Sequence, residues 1–186
     1  AQGKSEIYAL DLKTLEYKPS QKVKFATLEM TKTVDNLKDR FKILMAGKDK
    51  AGDFYRAIFA GLFEYVSNRI PEISDELYKI DDALKAGFGW DLGPFEYWDA
   101  VGVNEGVAIM EQAGHKPAAW VNELLASNTS FYKIENGNRK YYDINSKSYK
   151  VIPGTENFIS LENIRETKTV WKNSGVTITD LGDGIL

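Results

Sequence analysis

The feature that most constrains the fold is a long apolar helix pattern between residues 49 and 70. Two stripes of apolar side chains run along it, at Phe54, Ile58, Leu62 and Tyr65 and at Tyr55, Phe59, Phe63 and Val66. Because this pattern covers most of the circumference, it predicts a buried helix. At ~1.5 Å per residue the helix would be roughly 30 Å long before Pro71 ends it. The chain is therefore predicted to form a multihelical domain around this element.

Further helices are predicted on both sides of the long one. Apolar periodicity and stop signals place them at about 31–47, 74–87, 104–113 and 117–127. Ser74 is expected to be the N-cap of the second of these. Asp81 and Asp82 in the same helix are interpreted as a solvated face, with Lys85 completing an i,i+4 ion pair.

Short hairpins are predicted at the two ends of this helical body. Residues 7–18 indicate one, and Asn136-Gly137 indicates another, because this dipeptide accepts both positive-φ positions of a type I′ turn. The two hairpins are expected to be able to share one small sheet. We expect a mainly α fold with β-hairpin appendages. Residues 1–30 would form an N-terminal hairpin and connector, and residues 31–127 the helical domain. Residues 128–175 would form a hairpin appendage, and residues 176–186 the start of a truncated following domain.

The run from Phe88 to Gly102 is rich in glycine and aromatic residues. Pro94 is suited to the first position of a helix, where a missing N–H is tolerated. Glu96 and Asp99 lie three residues apart and share a face, so they could act as an acid/base pair, as in a glycosidase. The alternative is structural: Glu96 caps first-turn N–H groups while Asp99 anchors a neighbouring loop.

Six residues of this run carry a resemblance to a known family: Gly93, Pro94, Phe95, Glu96, Asp99 and Gly102. They resemble the G-P-F-E-x-x-D-x-x-G signature of the C-terminal helical domain of 3-hydroxyacyl-CoA dehydrogenases. The resemblance covers roughly residues 53–102. It implies a fold like the C-terminal domain of 6-phosphogluconate dehydrogenase. It also implies a piece of a multifunctional dehydrogenase/enoyl-CoA hydratase of fatty-acid β-oxidation.

The resemblance implies the substrate-cleft and dimerisation domain of an enzyme that oxidises 3-hydroxyacyl-CoA to 3-oxoacyl-CoA. The implied cofactor is NAD, bound by an upstream Rossmann domain; this chain has no G-x-G-x-x-G motif after a strand. The chain alone is thus expected to hold no cofactor, metal or catalytic residue and to be inactive. The implied partners are acyl-CoA, the Rossmann and hydratase domains of the same protein, and a second subunit.

The family usually carries an Asn-Arg pair at the start of its long helix, and the Asn reaches the substrate near the reacting carbonyl. Here Tyr55 and Arg56 occupy those positions, which makes them the candidate substrate-binding residues. A tyrosine hydroxyl donates a hydrogen bond but projects further than an amide. This departure leaves two alternatives open: a non-catalytic helical interaction or scaffold module, and a hydrolase that uses Glu96 and Asp99.

Composition excludes several other classes of protein. The net charge is −3 without a basic block, so no nucleic-acid interface is indicated. There are no cysteines, and the one histidine, His115, is expected to lie in a surface loop without a functional partner. No apolar run approaches the ~20 residues of a membrane span. A cytoplasmic location is expected.

Overall fold

The computed structural model describes residues 6–20, 23–157 and 159–186. The helices of these residues are α1 (Ala26–Thr31), α2 (Leu37–Ala46), α3 (Lys50–Asn68), α4 (Leu77–Phe88), α5 (Pro94–Val101), α6 (Val103–Gln112), α7 (Ala119–Leu125) and α8 (Leu161–Lys168). The strands are β1 (Tyr8–Leu10), β2 (Tyr17–Pro19), β3 (Tyr132–Glu135), β4 (Asn138–Asp143), β5 (Ser148–Val151), β6 (Thr169–Lys172) and β7 (Thr177–Thr179). The prediction of a mainly α fold with small hairpins is confirmed.

Helix α3 is one continuous element, as the apolar pattern predicts. Asp49 caps it by accepting hydrogen bonds from the backbone N–H groups of Ala51 and Gly52. The stripe that includes Phe63 and Val66 packs in the core against α2, α5 and α6. The other stripe differs from expectation: its members Phe54, Ile58 and Tyr65 are 61%, 53% and 58% exposed. Neighbouring helices therefore cover only one side of α3.

Helix α5 lies at the centre of the aromatic core. The rings of Phe95 and Trp98 are fully buried, and Trp98 stacks on Phe63 of α3 with 4.7 Å between ring centroids. Phe131, just before β3, meets Trp98 edge to face at 5.0 Å. Gly106 of α6 must lack a side chain, since a Cβ there would lie 2.1 Å from Nε1 of Trp98. The helix that carries four of the six signature residues, with Gly93 and Gly102 at its two ends, is thus the packing centre of the domain.

The strands form three separate antiparallel sheets, ordered β1-β2, β3-β4-β5 and β6-β7. The expectation that the first two hairpins share a sheet is therefore wrong. Between β3 and β4 the turn residues Asn136 and Gly137 both have positive φ, 53° and 75°. This is the backbone geometry that the Asn-Gly dipeptide predicts.

Two local features differ from the sequence expectation. Helix α4 begins at Leu77 with Glu76 as its N-cap residue, so the N-cap prediction for Ser74 is wrong. The Ser74 hydroxyl instead accepts a hydrogen bond from the backbone N–H of Glu76 in the preceding turn. Helix α8 has no counterpart among the predicted elements, because its sequence is strongly polar. The alternating pattern near the end of the chain forms β7, which pairs with β6.

Candidate functional site

The first turn of α5 is built around buried acidic side chains. Gly93 precedes the helix and Pro94 occupies its first position. A Cβ at Gly93 would lie 2.3 Å from the side chain of Asp81, so only glycine allows α4 to approach this closely. The side chain of Phe95 fills the core beneath.

Glu96 is 6% exposed and accepts three hydrogen bonds. The donors are the backbone N–H of Gly93 at 2.6 Å, Nη2 of Arg139 at 2.5 Å and Nζ of Lys85 at 3.3 Å. Burial works to raise the pKa of Glu96, but the charge of Arg139 and the Gly93 N–H outweigh it and lower this pKa below its usual value. Glu96 is therefore an ionised capping residue that also binds β4.

Asp99 joins α5 to β3. Its two carboxylate oxygens accept the backbone N–H groups of Phe131 at 2.7 Å and Tyr132 at 2.8 Å. Burial raises the pKa of Asp99 to about 7, and these N–H groups act in the opposite direction. Glu96 and Asp99 thus bind different groups of the protein. This is the geometry of the structural interpretation, in which Glu96 caps the helix and Asp99 anchors a neighbouring segment. A hydrolase would need one of them free to act on a substrate.

The prediction that Asp81 lies on a solvated face is wrong. Its side chain is 1% exposed and accepts hydrogen bonds from Phe95 N at 2.9 Å, Glu96 N at 3.2 Å and the Tyr132 hydroxyl at 2.7 Å. Burial raises the pKa of Asp81 to about 7 against these donors. A signal was present in the sequence, because Asp81 lies four residues after the buried Leu77 and shares its face. Lys85 pairs with Asp82 at 3.0 Å, at spacing i,i+3.

The candidate substrate residues lie at the start of α3. Arg56 donates from Nη1 to the carbonyl oxygens of Met45 at 2.7 Å and Gly47 at 2.5 Å. Its Nη2 pairs with Asp53 at 2.6 Å, so the guanidinium fixes the end of α2 to α3. The Tyr55 ring stacks on Phe59 with 6.4 Å between centroids. Substrate binding by Tyr55 and Arg56 stays a prediction.

His115 has a partner that local sequence reasoning missed. Its Nδ1 lies 2.5 Å from Oε2 of Glu64, on α3, and the backbone N–H of Lys116 donates to Oε1 of the same carboxylate at 2.9 Å. These two contacts lower the pKa of Glu64, the N–H of Lys116 contributing most. The partners are 51 residues apart, so no spacing motif reveals the pair. It ties the loop before α7 to α3.

A cavity of about 600 Å³ opens beside Glu96, between α2, α5 and the β3-β4-β5 sheet. Five cationic side chains line it: Lys38, Lys42, Lys85, Lys133 and Arg139. They come from α2, α4, β3 and β4. The acidic residues of the lining are Asp91, Glu96, Asp99 and Glu162. Sequence reasoning missed this cavity, because its cations are dispersed and only the fold brings them together.

A second surface feature is apolar. A groove of about 440 Å³ between α3 and α4 is lined mainly by apolar side chains, among them Leu62, Val66, Ile73, Ile80 and Leu84. Tyr65 belongs both to this groove and to the exposed stripe of α3. We call the groove and the stripe together the apolar face.

Within residues 6–20, 23–157 and 159–186, no three His, Cys, Asp or Glu side chains are grouped so that they could hold a metal ion. Among the helices of the same residues, none has both the length and the apolar character that crossing a bilayer requires.

Comparisons with known proteins support one family. A family model described as "3-hydroxyacyl-CoA dehydrogenase, C-terminal domain" matches residues 50–141. The chain is 38% identical over 186 residues to the "Probable 3-hydroxyacyl-CoA dehydrogenase" of Bacillus subtilis (strain 168), covering 99% of this chain and 23% of that protein. It thus spans about a quarter of the length of that relative.

A more distant relative matches half of the chain. The "Putative fatty acid oxidation complex trifunctional enzyme" of Rickettsia prowazekii (strain Madrid E) is 26% identical over 94 residues, which is 50% of this chain and 12% of that protein. The corresponding protein of Rickettsia felis (strain ATCC VR-1525 / URRWXCal2) is 28% identical over the same length. No solved structure matches the chain significantly.

Proposed function

Because residues 50–141 belong to the family of 3-hydroxyacyl-CoA dehydrogenase C-terminal domains, we propose that the chain serves an NAD-dependent 3-hydroxyacyl-CoA dehydrogenase as its substrate-cleft and dimerisation domain. The family match carries this proposal, and the central position of the signature helix α5 supports it. The parent enzyme would oxidise 3-hydroxyacyl-CoA to 3-oxoacyl-CoA in the cytoplasm. This domain would orient the acyl-CoA and exclude water from the cleft.

The residues of the chain do not fit an NAD site. The described strands pair only as antiparallel neighbours, and no G-x-G-x-x-G motif follows a strand. The N-terminus of α5, where a phosphate would find backbone N–H groups, already holds the carboxylate of Asp81. We therefore assign NAD binding and proton transfer to a separate Rossmann domain of the parent. The isolated chain is expected to be inactive.

The apolar face supports a role in contact between domains or subunits. Phe54, Ile58 and Tyr65 expose most of their rings or branches along one side of a single helix. Burying such side chains stabilises an interface by about 25 cal/mol per Å² of apolar surface. The proposed partners are the Rossmann domain of the same enzyme and a second subunit, with a hydratase domain as a further neighbour in a multifunctional parent.

The first experiment measures dehydrogenase activity of the full-length protein that contains this chain. We expect NAD reduction, followed by absorbance, with 3-hydroxyacyl-CoA substrates of several chain lengths. Absence of NAD reduction with all of them, in a folded protein, would contradict the proposal. The variant Phe54→Ser/Ile58→Ser should lower activity or dissociate subunits while circular dichroism still shows a folded protein. The control Leu12→Ser/Val23→Ser changes two apolar side chains that are 83% and 66% exposed elsewhere, and should do neither.

One observation favours the scaffold alternative: Arg56 is occupied by the carbonyl groups of Met45 and Gly47, beside a tyrosine in place of the usual Asn. The substitution Tyr55→Phe separates the two functions, because it removes only a hydroxyl group. If Tyr55 contacts the substrate, kcat/KM of the full-length enzyme should fall about tenfold, which corresponds to ~1.4 kcal/mol. If the domain is only a scaffold, kcat/KM will not change.

A further inference from the structure

We propose that Asn136, at the tip of the β3-β4 hairpin, is a site of spontaneous covalent modification, where loss of the side-chain amide converts the backbone to an isoaspartyl linkage. The reaction needs only water and the backbone nitrogen of Gly137. It does not depend on the proposed dehydrogenase function. Its product weakens the attachment of the β3-β4-β5 sheet to the helical body.

The two groups that react are adjacent and accessible. The side chain of Asn136 is exposed, and among the described residues no group hydrogen-bonds to its amide; only its backbone carbonyl is approached, by Nδ2 of Asn138 at 3.5 Å. The pair formed by Glu135 and Asn138 closes the loop, so the N–H of Gly137 lies outside the strand ladder. Within the described part of the chain this N–H has no backbone acceptor. Neither reacting group is therefore held by a hydrogen bond there.

Glycine at position 137 removes the main steric obstacle. The nitrogen of the following residue has to reach Cγ of the asparagine, and a side chain on that residue would shield the nitrogen. Rotation about χ1 and ψ of Asn136 brings the two atoms together. Gly137, with a φ of 75°, follows this rotation more easily than a residue that carries a Cβ. Because β3 is an edge strand and loop tips are among the least stable parts of a fold, the turn opens often enough to react.

The reaction has two steps. The Gly137 nitrogen gives its proton to hydroxide and forms a bond to Cγ of Asn136, while the bond from Cγ to Nδ2 breaks and ammonia leaves with a proton from water. Water then opens the resulting succinimide ring. Attack at Cγ restores the backbone and gives aspartate, whereas attack at the backbone carbonyl carbon gives isoaspartate, in which the chain runs through Cβ and Cγ. One water is consumed and one ammonia released.

The two products have different effects on the hairpin. Aspartate keeps the turn, because Asp-Gly also accepts a type I′ geometry. Isoaspartate adds one atom to the backbone of a two-residue loop, and loop length fixes the register of a hairpin. That register places Arg139 against Glu96 at 2.5 Å and the Tyr132 hydroxyl against Asp81 at 2.7 Å. We therefore expect only the isoaspartyl product to weaken these contacts.

Other asparagines of the chain provide internal controls. Asn138, Asn145 and Asn173 are each followed by a residue that carries a side chain. The side chain of Asn173 is also held, because its Oδ1 accepts the backbone N–H groups of Gly175 and Val176, both at 2.8 Å. Asn138 belongs to the same hairpin as Asn136 and experiences the same solvent and strand pairing. These three residues should therefore react more slowly than Asn136.

The test is incubation of the folded 186-residue chain in mildly alkaline buffer, followed by digestion and sequencing of the peptides by mass spectrometry. We expect Asn136 to be converted at least about tenfold faster than each internal control. Labelling by an isoaspartyl methyltransferase measures the isoaspartyl product. The variant Asn136→Gly cannot react and keeps a turn sequence, Gly-Gly, that suits the same geometry. The variant Asn136→Asp reproduces the other product.

Urea unfolding then measures the consequence. The incubated protein should contain a less stable component whose share follows its isoaspartate content. Fresh Asn136→Asp should unfold like the fresh protein, and incubated Asn136→Gly should not change.

Conversion of Asn136 no faster than that of the control residues, or equal methyl labelling of Asn136→Gly, overturns the proposal. Equal destabilisation in fresh Asn136→Asp overturns the register argument, because the added charge alone would then explain the loss. Both readouts are independent of catalysis, so failure here leaves the dehydrogenase assay of the full-length protein unaffected, and the reverse also holds.

Discussion

Replacement of Asp81 is the sharpest test of how the helical body is held to the β3-β4-β5 sheet. Its carboxylate accepts three hydrogen bonds from Phe95 N, Glu96 N and the Tyr132 hydroxyl, all within 3.2 Å. Asp81→Ala leaves three donors without a partner in an interior site. An unsatisfied buried donor costs about 1–3 kcal/mol, so we expect the free energy of unfolding to fall by roughly 3–5 kcal/mol.

The assay is urea unfolding followed by circular dichroism, with Asp82→Ala as the matched control. Asp82 is the neighbouring residue, 60% exposed in its side chain, and it forms an ion pair with Lys85. An exposed pair of this kind contributes about 0–1 kcal/mol. Hydrogen exchange should also accelerate selectively at the amides of Phe95 and Glu96. Equal losses in the two variants, or unchanged exchange at these amides, would refute the assignment of Asp81 as a buried cap.

The remaining predictions use the same structure. The raised pKa of Asp81 means that the folded state holds its proton more tightly than the unfolded state, so this group stabilises most below pH ~4 and less as pH rises through about 7. Asp81→Asn should therefore cost more at pH 5 than at pH 8 in urea unfolding, and the opposite slope would contradict the burial argument. Gly106→Ala should lower the free energy of unfolding by about 1–3 kcal/mol, because the added Cβ would overlap Trp98. Thermal unfolding measures this loss. Gly87→Ala is the control, because a Cβ added there has no neighbouring atom within 4 Å. NADH should show no micromolar stoichiometric binding to the chain by calorimetry. If the end of the chain belongs to a following domain, the amides of Thr177 to Leu181 should exchange faster than those of α3, and equal protection would argue against this.

Sequence patterns predicted the local parts of the fold. The period of apolar residues in α3 and the Asn136-Gly137 turn depend on neighbours in the chain, and both predictions are confirmed. The exposure of Phe54 and Ile58 was not predicted, because an apolar stripe does not reveal whether a partner within the same domain covers it. The pattern shows which side chains a helix can bury, and the packing of the other elements decides which of them are buried.

The candidate site depended on contacts between distant residues. Asp81 meets Tyr132 across 51 positions, and His115 meets Glu64 across the same separation. The sequence alone does not show whether a carboxylate accepts hydrogen bonds from water or from backbone N–H groups. The six signature residues located the centre of the domain. They did not reveal the cationic residues from α2, α4, β3 and β4 that line the cavity beside Glu96.

The hydrogen bonds between α4, α5 and the sheet have a consequence for where the protein can be shortened. Asp81, Glu96 and Asp99 obtain donors from Tyr132, Arg139 and the backbone of residues 131–132. A chain truncated after the last residue of α7 would keep these acids and lose those donors. It would have to protonate or hydrate them, so it should aggregate or populate a loosely packed state. The smallest autonomous folding unit therefore extends through β4, well beyond the end of α7.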